Sequence, residues 1–190
     1  MARTVGIGLV GVGWMGRVHS AAYRRARYHY PDCAGVARLV IAADESEHRA
    51  REAADELGFE RWTTGWRAVI ENADVEAVSI TVPNDLHAEI ALAAAAAGKH
   101  VWIEKPVGRL PEETAEIAAG IEAAGVRSIV GFNYRQAPAV QHARRLRDRD
   151  RGVPAHLAHV AAGGRAIRLS RAERASRADH GLVHALSPGR

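Results

Sequence analysis

Three glycines near the start of the chain have the spacing of a phosphate-binding turn. Gly11, Gly13 and Gly16 form a G-x-G-x-x-G pattern that follows a short apolar strand and opens a helical stretch. In such a pattern the first glycine permits a tight turn, the second lets the backbone approach a pyrophosphate, and the third lets the helix pack against the strand. Free N–H groups at the helix N-terminus add donors for the anion. The spacing predicts a dinucleotide site, and a purely structural turn is the alternative.

An acidic residue further along indicates which dinucleotide would bind. Asp44 follows an apolar run at residues 39–43 and lies 28 residues after Gly16. This interval exceeds the usual ~20 because a long loop covers residues 28–36. A carboxylate there would accept hydrogen bonds from ribose hydroxyls and repel a 2′-phosphate, so NAD is favoured over NADP. Arg49, one helical turn further on, could offset that repulsion, and the alternative role for Asp44 is that of a helix-entry residue.

A second group of chemistry-bearing residues follows two later predicted strands. Both parts of the group fall at carboxyl ends of strands, where ligands bind in open parallel sheets. The residues are Thr81, Pro83, Asn84 and His87 after the first of these strands, and Glu104, Lys105 and Pro106 after the second. Taken singly, the histidine could be a surface residue and the Glu–Lys pair a surface ion pair worth under ~1 kcal/mol. Combined with the glycine pattern, they indicate a cofactor site.

A parallel sheet is needed to bring these residues together. Up to about residue 147 the chain alternates short apolar runs with helical stretches, which predicts right-handed crossovers and helices on both faces of the sheet. Ser46 and Asn84 are predicted N-caps, Pro111 a first-turn residue and Gly125 a helix end. The predicted strands lie near residues 5–9, 39–43, 75–82, 101–104 and 128–132, with helices over 14–27, 46–57, 66–71, 85–97, 111–124 and 137–147. The fold class is α/β, a Rossmann-type doubly wound parallel sheet.

Longer segments strengthen this interpretation. The segments GVGWMGRVHSAAY, ADES, TVPNDLHAEIALAAAAAGKHVWIEKPVG and GFNYRQAPAV follow one another over residues 4 to about 147 and resemble the N-terminal half of the Gfo/Idh/MocA oxidoreductases. The pairing of T-x-P-N-x-x-H with E-K-P is specific to that family. The resemblance implies an NAD(P)-dependent oxidoreductase that transfers a hydride between the hydroxyl of a sugar, inositol or similar polyol and nicotinamide. It also implies that full-length members are homo-oligomers.

The resemblance also assigns roles to individual residues. Lys105 matches the catalytic lysine near the nicotinamide and the reacting carbon, where an ammonium would stabilise alkoxide character and relay a proton. Asn133 and Arg135 match a position at the junction with a second domain. The residues expected to contact the cofactor are Gly11, Gly13, Trp14, Met15, Asp44, Thr81, Pro83, Asn84, His87, Glu104, Lys105 and Asn133. No metal site is expected.

The last part of the chain departs from this pattern. We predict an NAD(P)-binding Rossmann domain over residues 1–147 and an arginine-rich, largely disordered tail over 148–190. All ten aromatic residues lie at or before Tyr134, whereas residues 148–190 carry eight arginines and four acids. Family members continue into a second domain with a D-x-G-x-H type motif, of which only Asp179 and His184 are an echo, five residues apart. The tail is either a truncated or frame-shifted remnant of that domain or the natural end of a short paralogue.

Composition and charge exclude several functions. One cysteine, Cys33, rules out an internal disulfide and fits a reducing compartment, and no apolar run reaches the ~18 residues of a membrane span. The basic surplus of the tail has no interleaved aromatic residues, which argues against nucleic-acid binding. A cytoplasmic protein without a signal peptide is expected. Two functions remain open: the dehydrogenase itself, or a non-catalytic nucleotide-binding fragment that lacks the substrate domain.

Overall fold

In the computed structural model, which describes residues 3–31 and 35–150, a parallel sheet is the central element. Its strands are β1 (Arg3–Val10), β2 (Gly35–Ala43), β3 (Arg61–Thr63), β4 (Ala77–Ile80), β5 (His100–Ile103) and β6 (Ser128–Val130). They pair in the order β3-β2-β1-β4-β5-β6, and every pair is parallel. The order reverses between β1 and β4, and such a switch point leaves a crevice at the carboxyl ends of the strands.

Helices follow the strands along the chain. They are α1 (Trp14–His29), α2 (Glu47–Asp55), α3 (Arg67–Glu71), α4 (His87–Ala96), α5 (Pro111–Ala124) and α6 (Pro138–Asp150), with single 3-10 turns at Asn84–Leu86 and Asn133–Gln136. The alternation of strands and helices confirms the predicted α/β class.

Most of the predicted helix ends are confirmed. The Ser46 hydroxyl accepts a hydrogen bond from the Arg49 N–H at 3.4 Å, as an N-cap of α2 should. Pro111 occupies the first turn of α5, and Gly125 ends that helix with a φ of 67°, a left-handed conformation that favours glycine. Asn84 is not an N-cap in this structure, because it makes no capping bond and begins the 3-10 turn that precedes α4.

The sheet is buried on both faces. Leu9 and Val10 are neighbours on β1 but belong to different hydrophobic clusters, because successive side chains of a strand point to opposite faces. The larger cluster includes Val69, Ile90 and Ile117 from α3, α4 and α5. The smaller cluster includes residues of β1, β2 and α2. Helices on both faces make the sheet doubly wound, as predicted.

The chain divides into two compact units between Val130 and Gly131. The first contains the six strands, and the described part of the second holds the 3-10 turn Asn133–Gln136 and α6. Residues 151–190, with Asp179, His184 and most of the predicted tail, lie outside the described residues, and the boundary at residue 147 stays a prediction. Every helix in the described ranges is too short or too polar to cross a membrane.

Candidate functional site

The glycine turn lies at the switch point of the sheet, between β1 and α1. Gly11 has a φ of 93°, and its N–H donates to the Ala43 carbonyl at 2.8 Å. A Cβ on Gly11 would lie 2.7 Å from the Thr81 carbonyl oxygen, and one on Gly16 would lie 2.2 Å from the Gly11 carbonyl oxygen. Both glycines are therefore required by the packing of the protein itself. Gly13 differs, since a Cβ there would meet no atom within 4 Å.

The N-terminus of α1 is open for an anion. Its N-cap is Gly13, which has no side chain to accept a hydrogen bond, and its first turn contains no acidic residue. The helix has 16 residues, so a partial positive charge accumulates at this end. Trp14 and Met15 are the first two residues of α1 and therefore lie next to its free N–H groups. Trp14 is 76% exposed and Met15 is half-buried. An uncapped helix end beside an open glycine is the surface that a pyrophosphate would need.

Asp44 is the carboxylate at the end of β2, and it is almost fully buried. Its Oδ2 accepts a hydrogen bond from the Val12 N–H at 2.8 Å, which joins β2 to the glycine turn. Its Oδ1 accepts from the Ser46 N–H at 2.9 Å and from two nitrogens of Arg49, at 2.9 and 2.8 Å. Burial alone would raise the pKa of Asp44, but these hydrogen bonds and the charge of Arg49 lower it below its usual value. Asp44 therefore does more than precede a helix, because its hydrogen bond with the Val12 N–H holds the glycine turn in place.

This lowered pKa predicts a pH dependence of stability. A carboxylate with a lower pKa in the folded than in the unfolded state, where it is about 3.9, stabilises the fold above that value. We expect the difference in unfolding free energy between the wild type and Asp44→Asn, measured by urea denaturation, to be largest near neutral pH. It should shrink as the pH falls below about 4, because the carboxylate of the unfolded chain is protonated first and that of the folded protein only at its lower pKa. A difference that is the same at both ends of this range would contradict the prediction.

Thr81 connects β4 to the glycine turn. Its hydroxyl lies 2.6 Å from the Gly11 carbonyl oxygen and 3.1 Å from that of Val10, and it donates to them from the carboxyl end of β4. Pro83 and Asn84 continue this segment, the first exposed and the second half-buried. The predicted site residues that follow β4 therefore lie at the same edge of the sheet as the glycine turn.

His87 is buried and lies between two segments of this edge. Its Nε2 lies 3.0 Å from the Val82 carbonyl oxygen, and its Nδ1 lies 2.9 Å from that of Pro106 and 3.2 Å from that of Val107. The ring is 1% exposed. Each ring nitrogen faces a backbone carbonyl oxygen, so a nitrogen that carries a proton donates to the segment it faces, after β4 for Nε2 and after β5 for Nδ1. Its predicted contact with the cofactor stays a prediction.

Glu104 and Lys105 directly follow β5, and their side chains differ in burial. The Lys105 side chain is exposed, and its peptide bond to Pro106 is cis. Glu104 is 5% exposed, its Oε2 accepts a hydrogen bond from the Lys105 N–H at 3.3 Å, and its Oε1 lies 3.1 Å from Nε2 of His19. The lysine thus faces solvent from a turn whose backbone is held by a buried carboxylate.

His19 is a residue of this site that the sequence patterns do not single out. It lies on the buried face of α1 and is 2% exposed. Its Nδ1 lies 3.0 Å from the Ser79 hydroxyl, which in turn lies 2.9 Å from the Tyr23 hydroxyl. The available signal is a histidine placed three residues after Gly16, on the helix face that packs against the sheet.

Two predicted residues belong to the second unit. Asn133 and Arg135 lie in the 3-10 turn Asn133–Gln136, and burial, with a smaller contribution from the charge of Arg144, lowers the pKa of Arg135. The predicted cofactor contact of Asn133 stays a prediction. Within residues 3–31 and 35–147, whose side chains are described, no three acidic, histidine or cysteine side chains are grouped to hold a metal ion.

A doubly wound parallel sheet, with a glycine turn at its switch point and a carboxylate ending β2, defines a dinucleotide-binding Rossmann domain. Residues 5–132 match the Gfo/Idh/MocA family, described as an oxidoreductase family with an NAD-binding Rossmann fold. The chain belongs to this family.

Its relatives include dehydrogenases of sugars and inositols. The chain is 42% identical over 144 residues to the levoglucosan dehydrogenase of Pseudarthrobacter phenanthrenivorans, a match that covers 75% of this chain and 37% of that protein. It is 35% identical over 112 residues to the scyllo-inositol 2-dehydrogenase (NAD(+)) of Bacillus subtilis strain 168, covering 59% and 33%. A solved structure of levoglucosan dehydrogenase with NADH and levoglucosan has a TM-score of 0.73 and 37% identity, covering 79% of this chain and 40% of that one. The chain thus spans well under half the length of these relatives.

Proposed function

We propose that the first unit binds NAD at the carboxyl edge of the sheet and presents Lys105 for hydride transfer. The observation that carries the proposal is Gly13. Nothing in the fold requires a glycine there, because a Cβ would lie in open space, yet this open space adjoins the uncapped N-terminus of α1. A surface kept free of side chains beside free N–H donors fits a pyrophosphate.

Asp44 supports the same proposal at the ribose end. Each carboxylate oxygen offers about two lone-pair positions; Oδ1 already accepts from three donors, whereas Oδ2 accepts from a single donor. Oδ2 therefore keeps a position for one ribose hydroxyl, while its bond to the Val12 N–H holds it beside the glycine turn. Thr81, Pro83 and Asn84 would line the cofactor on the far side of that turn.

Lys105 would supply the catalytic cation. Bound NAD supplies the hydride acceptor, so the tasks of the protein are to position and to polarise. An exposed ammonium at the carboxyl end of β5 would stabilise negative charge on the carbinol oxygen of a sugar or inositol. It would relay the carbinol proton by releasing one of its own protons to a base as it takes up that of the carbinol. The substrate class follows from the relatives, and we propose the same class for the whole protein to which this domain belongs.

A non-catalytic nucleotide-binding role is the second candidate. The features that carry the NAD proposal, the open glycine Gly13 and the carboxylate of Asp44, are required by both candidates. NADH binding without turnover by the 190-residue chain would fit either candidate, whereas binding with turnover would fit the dehydrogenase alone.

The ribose assignment predicts a change of cofactor preference. We expect the wild type to bind NADH more tightly than NADPH, measured by fluorescence titration. Asp44→Ala should narrow this preference by about 1–3 kcal/mol, because it removes a ribose hydrogen bond and the repulsion of a 2′-phosphate. It also releases the Arg49 guanidinium, now paired with Asp44, to attract that phosphate.

Glu45→Ala is the matched control. Glu45 is the neighbouring acid, its side chain is 93% exposed, and it lies 3.7 Å from Arg49. Its removal changes the net charge by the same amount without touching the glycine turn, so the cofactor preference should change far less. Tighter binding of NADPH by the wild type would show that Asp44 is not the ribose acid. No binding of either cofactor would overturn the proposed function.

A further inference from the structure

A buried polar network joins the phosphate-binding helix to the turn that carries Lys105. The network consists of Tyr23, Ser79, His19 and Glu104, linked by contacts of 2.9, 3.0 and 3.1 Å in that order. Tyr23 and His19 come from α1, Ser79 from β4, and Glu104 from the end of β5. Helix α1, strand β4 and the segment that follows β5 are therefore connected through one imidazole.

The donors of this network can be assigned from the geometry. A carboxylate only accepts hydrogen bonds, so His19 must donate to Glu104 through its Nε2–H. In a neutral ring Nδ1 then accepts, the Ser79 hydroxyl donates to it, and the Tyr23 hydroxyl donates to Ser79. Burial raises the pKa of Tyr23 to about 12, which keeps its proton in place. Burial also lowers the pKa of His19, although Glu104 acts to raise it, and so favours the neutral ring.

The orientation of the imidazole is fixed by packing. The Trp102 indole stacks on the His19 ring, with centroids 4.0 Å apart and an interplanar angle of 27°. The Tyr23 ring contacts the same indole edge-on, at 5.5 Å and 82°. A flat contact of this kind leaves the ring little freedom to turn, so its two nitrogens stay aimed at Ser79 and Glu104.

We propose that His19 is a positioning residue: its Nε2–H holds the Glu104 carboxylate, which through Oε2 fixes the backbone N–H of Lys105. The site that binds the cofactor phosphates and the turn that presents the lysine are thereby tied together. The consequence of this inference, that Lys105 is oriented toward the cofactor, rests on the proposed function. The hydrogen-bonding pattern itself is measurable without cofactor.

Two amide variants of His19 separate the contact of Nε2 with Glu104 from the contact of Nδ1 with Ser79. In His19→Gln the side-chain NH₂ can reach the position of Nε2 and still donate to Glu104, whereas the acceptor for Ser79 is lost. In His19→Asn the shorter side chain can accept from Ser79 but cannot reach Glu104. Both variants lose the stacking on Trp102 equally, so a purely structural role would affect them alike.

The experiment uses the full 190-residue chain and follows the Lys105 backbone amide by NMR together with NADH affinity. We expect His19→Gln to keep the amide shift and exchange rate close to wild type. His19→Asn should speed the exchange of this amide by about tenfold, because the hydrogen bond that holds Glu104 is lost. It should weaken NADH binding by a similar factor, because Glu104 is itself one of the expected cofactor contacts. Equal behaviour of the two variants, whether both are damaged or both are unaffected, would overturn the proposal.

A measurement on the wild type keeps the proposal testable if a variant fails to fold. The imidazole ¹⁵N shifts of His19 should report a neutral ring with the proton on Nε2. A proton on Nδ1 alone, or on both nitrogens at neutral pH, would overturn the assigned network. If these measurements agree with the proposal but the wild type binds no NADH, the proposed function fails while the network stands.

Discussion

Replacing Gly16 with alanine is expected to destabilise the domain by about 3 kcal/mol, the upper end of what overpacking usually costs. An alanine in an open helix would instead stabilise it by ~1 kcal/mol relative to glycine. The sign is reversed here because the new Cβ would lie 2.2 Å from the Gly11 carbonyl oxygen and 3.2 Å from the Thr81 hydroxyl. That carbonyl cannot retreat easily, since it accepts the Thr81 hydrogen bond at 2.6 Å. Urea denaturation of both proteins measures the difference.

Gly13→Ala is the control for Gly16→Ala. It lies in the same turn but adds its Cβ to open space, so the unfolding free energy of the cofactor-free protein should change little. Its effect should appear in NADH affinity, which we expect to fall about tenfold or more because the methyl group occupies the surface that a pyrophosphate approaches. Equal stability of Gly16→Ala and the wild type would show that the close approach of α1 to the turn is not a constraint.

The largest effect concerns turnover. The 190-residue chain is expected to bind NADH and yet to oxidise inositols and aldoses too slowly to measure. Holding a substrate at near-attack distance contributes about 7–11 kcal/mol to catalysis, and a general base contributes another ~10²–10⁴-fold. The family resemblance assigns both tasks to a second domain, and this chain spans 37% of the levoglucosan dehydrogenase it matches.

The measurement is NADH formation from NAD over a panel of these polyols. Binding is followed in parallel by fluorescence, so that absence of turnover is separated from absence of cofactor. The binding measurement on Lys105→Ala should give nearly the wild-type NADH affinity, and a large loss of affinity would show that the lysine holds the cofactor and does not act on the substrate side alone. Rapid turnover by the purified chain would overturn this prediction and would show that residues beyond 147 complete a working site.

The elements that the sequence predicts well are those set by local chemistry. Helix α5 has the predicted bounds, 111–124, because a first-turn proline and a terminal glycine mark both ends. The glycine turn and the carboxylate of Asp44 lie together because each follows a strand of one parallel sheet. These relations need only the order of strands and helices, which the hydrophobic pattern provides.

The parts that the sequence does not predict depend on contacts between distant residues. Strand β3 has three residues and no apolar run, and it forms because β2 supplies a partner. His19 and Glu104 are 85 positions apart, so no spacing links them. Asn84 has the composition of an N-cap, but the chain makes a 3-10 turn there before α4 begins.

The central position of β1 has a consequence for synthesis of the protein on the ribosome. Of the six strands of the sheet, β1 emerges before the others and can pair with β2 once Ala43 has appeared, but its other neighbour, β4, is complete only at Ile80. At about 5–20 residues per second, one edge of β1 stays unpaired for roughly 2–7 s. A nascent chain paused in this interval would expose the unpaired hydrogen-bonding edge of β1, and a strand of a neighbouring nascent chain would find a pairing template there.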